Sequence, residues 1–85
     1  MFKTLKAKRF IKKCVEAREQ EVAGYEFNIR NYEAARDLIS KDADLADRQF
    51  EFYIQLKSLL ASELIQQERA KIMLDVLLQR QKGAV

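Results

Sequence analysis

The sequence predicts an all-α protein, a long antiparallel two-helix hairpin spanning about residues 3–40 and 44–82, which dimerises into a four-helix bundle. Three observations predict it. Two glycines and no proline among 85 residues leave too few turn formers for an all-β chain. Ala, Leu, Glu, Lys, Arg and Gln, the strong helix formers, dominate the composition. Apolar residues recur with a helical rather than an alternating period.

At this length the chain forms one domain, residues 1–85, with a modest core. Such a domain needs a staple, very regular helix packing or a second copy. Cys14 is the lone cysteine and there is no histidine, so neither a disulfide nor a zinc site is expected. The single thiol fits a reducing, cytoplasmic setting. No apolar run reaches the roughly 20 residues that cross a bilayer.

The first helix rests on Ala7, Ile11, Cys14, Val15, Val22, Tyr25, Ile29 and Tyr32, which share an arc of about 100°. The stripe keeps its phase through Gly24, which projects outward and so costs about 1 kcal/mol without ending the helix. The segment Tyr25–Ile29 alternates locally as a strand would, but strong helix formers flank it on both sides. Arg18 and Arg36 fall on the stripe's centre, where they are expected to snorkel or to pair with acids such as Glu63 or Glu68 across the hairpin, helping to set register. The other reading is that one of them reaches a partner's carboxylate or phosphate.

The turn is read at Ser40-Lys-Asp-Ala-Asp44, with Asp42 or Asp44 as N-cap of the second helix and Asp47 in its first turn. That second helix has a narrow polar strip of Arg48, Glu51, Gln55, Ser58, Ser62, Gln66 and Arg69, and is apolar around most of the rest. Each large aliphatic left in water forfeits roughly 1.5–3 kcal/mol relative to burial. One neighbouring helix covers one side only, so a companion is expected, most simply a second copy.

Charge is uneven along the chain. Residues 1–18 hold seven Lys or Arg against one acid, and residues 19–85 hold nine against twelve, which together give the overall +3. Lys6, Lys8, Arg9, Lys12 and Lys13 form a basic ridge away from the stripe, with Phe2 and Leu5 among them. Asymmetry of this kind points to an electrostatic contact.

Without histidine there is no histidine-based triad or general base, and two glycines build no phosphate loop. Asp42, Asp44 and Asp47 lack the glycine and glutamate positions of a calcium loop. The expectation is therefore no enzyme, no cofactor, no metal and no small-molecule substrate. The function expected is that of a protein-binding adaptor, inhibitor or assembly factor. Its contacts would be the basic ridge, against an acidic protein surface, and the apolar residues Ile72, Met73, Val76 and Leu77. The alternative is a nucleic-acid-binding regulator whose ridge neutralises phosphates. A membrane surface fits less well, because the apolar stripe is needed for the core.

Overall fold

A computed structural model describes residues 2–83 of the chain, with side chains over 5–83. Three helices follow one another: α1 (Phe2–Ser40), α2 (Ala43–Arg48) and α3 (Phe50–Gly83). The long helices α1 and α3 run antiparallel against each other, in a rod of 66 × 14 × 14 Å. All described secondary structure is helical, and the Tyr25–Ile29 segment lies within α1.

A row of buried and half-buried residues on each long helix marks the seam. On α1 they step through Ile11, Val15, Arg18, Val22, Tyr25, Ile29, Tyr32, Arg36 and Ile39. On α3 they step through Leu56, Leu60, Glu63, Gln67, Ala70, Leu74, Leu77 and Gln81. Steps of three and four alternate without interruption, the pattern of two helices that coil around a shared seam. Register is read from the side chains that cross it: Asn28 Nδ2 donates to Glu63 Oε2 at 3.3 Å, and Gln67 Nε2 donates to Glu26 Oε2 at 2.9 Å.

The turn forms where the sequence places it, but the second helix is not continuous over 44–82. Asp42, in extended backbone, caps α2 by accepting from the backbone N–H groups of Asp44 and Leu45. At Gln49 the chain bends (φ −111°, ψ 29°). Between α2 and α3 the i→i−4 ladder survives through Gln49 N–H to Leu45 and Tyr53 N–H to Gln49. Past the turn α2 rests on α1, with Leu45 and Ala46 half-buried.

Of the two outcomes expected for Arg18 and Arg36, the half-exposed side chains fit snorkelling, and pairing across the hairpin is corrected. Arg18 and Arg36 do sit half-buried at the seam, but they pair on their own helix. Arg18 Nη1 reaches Glu21 Oε2 at 2.9 Å and Arg36 Nε reaches Asp37 Oδ1 at 3.5 Å, not Glu63 or Glu68. An acid within one turn is closer than one across the seam, and both arginines keep contact with water. Ala7, placed on the stripe, is exposed. It lines a groove together with Gly83, at the last described turn of α3.

Candidate interaction surface

The core is small. Among the described residues its buried hydrophobic members are Val15, Ile29, Ile39, Leu56, Leu60 and Ala70. More large apolar side chains lie exposed than buried. On α3 these are Phe50, Phe52, Ile54, Leu59, Leu64, Ile65, Ile72, Met73, Val76 and Leu78, and on α1 they are Leu5, Phe10, Phe27 and Leu38. Meanwhile the seam of α3 admits Glu63, Gln67 and Gln81. This helix turns polar groups toward its partner and leaves much of its oil outside.

Helical phase sorts the exposed residues. Ile65 and Ile72 stand on the side of α3 opposite the seam. The two broad faces that flank the seam differ from each other. One carries grooves lined by Glu19, Ala23, Glu26 and Lys71, and by Glu33, Lys57, Ala61 and Leu64. The other carries a groove lined by Ala7, Phe10, Cys14, Arg80 and Gly83, floored by Ile11 and Leu77. Residues seven apart share a face in such a coil. On that second face Phe10 is followed by Ala17, Gly24, Asn31 and Leu38 along α1, and Phe52 by Leu59, Gln66 and Met73 along α3.

The polar contacts hold register rather than build a reactive centre. Gln67 is 6% exposed and gives its amide hydrogen to Glu26. Glu26 also takes Arg30 Nε at 3.0 Å. Its carboxyl is held below the usual carboxylate range, first by the Gln67 hydrogen bond and then by the charge of Arg30, against some desolvation. Near the bend the Lys57 ammonium sits 5.4 Å from the centre of the Tyr53 ring. Among the described residues no three His, Cys, Asp or Glu side chains gather as a metal site would require. No described helix is long and apolar enough to cross a membrane.

Of the residues singled out in the sequence, Lys6, Lys8, Arg9, Lys12 and Lys13 are all exposed on the first turns of α1. Lys6, Arg9 and Lys13 lie away from α3 by helical phase and Lys12 lies to one side, but Lys8, seven residues before Val15, falls on the seam row itself and so leaves the ridge read from the sequence. Phe2, read as part of that basic end, has a side chain outside the described residues. Ile72, Met73 and Val76 are exposed. Leu77 is not beside them. It is half-buried in the seam against Ile11 and Cys14, because it continues the three-and-four stepping that runs through Ala70 and Leu74.

Sequence reasoning missed the second face of α1. The signal was present as the uncharged seven-residue series Phe10, Ala17, Gly24, Asn31 and Leu38, but it gains meaning only once the seam fixes which side of the hairpin it occupies. Fold and surface together define the class: an antiparallel helical hairpin with more apolar surface than its own seam covers. No protein-family model, no curated protein and no solved structure matches the chain.

Proposed function

We propose that this hairpin is a non-enzymatic protein-binding module, an adaptor, inhibitor or assembly factor that works as a self-associated dimer. The observation that carries the reading is the apolar surface of α3, with Ile72 57% exposed and Met73 and Val76 beside it. Several such side chains left in water forfeit a large share of the roughly 5–15 kcal/mol that stabilises a whole domain. Contact with another protein recovers that loss.

The exposed cations Lys6, Lys8, Arg9, Lys12 and Lys13 support an acidic protein surface as the partner, with charge speeding encounter and fixing orientation. The same five cations support a second reading, a regulator that binds nucleic acid through phosphates. Two variants separate the readings: Lys8, Arg9, Lys12 and Lys13 all changed to Glu, and Ile72→Asp. In co-purification from the native host, a protein lost with both variants supports the protein-binding reading. Retention of the parent on DNA or RNA at low salt, falling steeply as salt rises and abolished in the quadruple variant, supports the regulator instead. A parent that captures neither defeats both.

A further inference from the structure

The two broad faces of the hairpin are unlike in charge. One carries Glu19, Glu26, Arg30, Glu33, Lys57 and Lys71. On the other, from Ala7 to Leu38 along α1 and from Phe52 to Gly83 along α3, the charged side chains are Glu21, Arg69 and Arg80. That second face also exposes Phe10 at 68% and Leu38 at 66%, together with Leu59, Met73 and Val76.

We infer that this charge-poor face is where two copies of the chain meet, about a two-fold axis parallel to the helices. The inference rests on the self-association read above and adds its surface and arrangement. The area on offer fits. The chain exposes 6880 Å², against about 5,200 Å² for a compact monomer of its 10.0 kDa. The excess, about 1,600 Å² per chain, is spread over a 66 × 14 × 14 Å rod, and a second copy laid along one broad face would remove an area of the order that each partner of an obligate homodimer buries.

Register and charge fit as well. With the axis parallel to the helices, α1 of each copy lies over the partner's α3 at an unchanged level. One heptad from the Asn28–Glu63 contact, Glu21 stands level with Ala70 and so faces the partner's Arg69. By the same register Phe10 faces the partner's Arg80 and Leu38 faces the partner's Phe52. Gly24 has nothing within 4 Å of where a Cβ would stand, so another helix can approach it closely. An axis running across the helices would instead lay α3 on α3. At full overlap that brings the two Arg69 groups within about a turn of each other, like charge against like.

The test is molar mass by sedimentation equilibrium, with helix content by circular dichroism as the check on folding. The parent is expected at twice its 10.0 kDa. The double variant Gly24→Glu, Met73→Glu places two charges on exposed positions of the proposed face and is expected to stay helical while dimerising at least ~100-fold more weakly. Ala23→Glu on the charged face and Ile72→Glu opposite the seam are expected to remain dimers. A parent of single-chain mass overturns the inference and self-association together, leaving capture of a different protein to stand or fall by itself. A dimer that survives the double variant, or is lost through Ala23→Glu or Ile72→Glu, overturns this face while self-association stands.

Discussion

Leu56 is the sharpest probe of whether the seam is closed. It is 0% exposed, and among the described residues no other side chain is as large and as fully enclosed. Leu56→Ala removes three carbons, worth about 2.4 kcal/mol at about 0.8 kcal/mol per buried group. A residual cavity adds to that, and the observed range for such changes is about 2.7–5 kcal/mol. The site lies between just two long helices, which can close inward, so a cost near the low end, about 3 kcal/mol, is expected. For a domain of this size 1 kcal/mol moves Tm by about 4–8 °C, so the melt should fall by roughly 12–24 °C. The assay is thermal unfolding followed by circular dichroism at about 222 nm, at fixed protein concentration. Ile65→Ala, at a half-exposed position opposite the seam, is the comparison and should move Tm far less. If Leu56→Ala shifts Tm by under ~4 °C, or no more than Ile65→Ala does, α1 and α3 are not joined as described.

The turn and the register contact give two further expectations. Asp42→Ala removes the side chain that accepts from Asp44 and Leu45 N–H, and should cost about 1 kcal/mol, read as a Tm lower by about 4–8 °C; an unchanged melt would show that the cap contributes nothing. Glu26 has its carboxyl held low in the folded chain, so its contribution is present above the unfolded carboxylate value of about 4.3 and is lost as pH falls through the folded value. The Tm difference between the parent and Glu26→Gln should therefore be full near neutral pH and shrink below about pH 4. A difference that stays constant down to about pH 3 would refute the role given to Glu26.

Much of the hairpin was legible in the residues themselves. Helix formers without proline force long elements, and an unbroken stripe through Gly24 forces one helix across it. The Asp42 cap was legible because capping is a local event, decided by a side chain and the backbone two and three residues on. The bend at Gln49 was not, since neither Gly nor Pro marks it and the contact of α2 with α1 is a tertiary one. Arg18 and Arg36 could be placed at the seam by period, whereas their partners depend on which acid lies nearest in space.

Composition and periodicity determined that the chain is helical, long in its elements and oversupplied with apolar surface, because those properties follow from propensity and from counting side chains around a cylinder. Only the tertiary structure decided which side of α3 meets α1, that Leu77 faces inward while Ile72 faces out, and that one broad face is charged while the other is nearly bare of charge. The reason is that a helix apolar nearly all round offers several equivalent sides to a partner. The choice among them is fixed by contacts between residues far apart in the chain, such as Gln67 with Glu26, which no local pattern encodes.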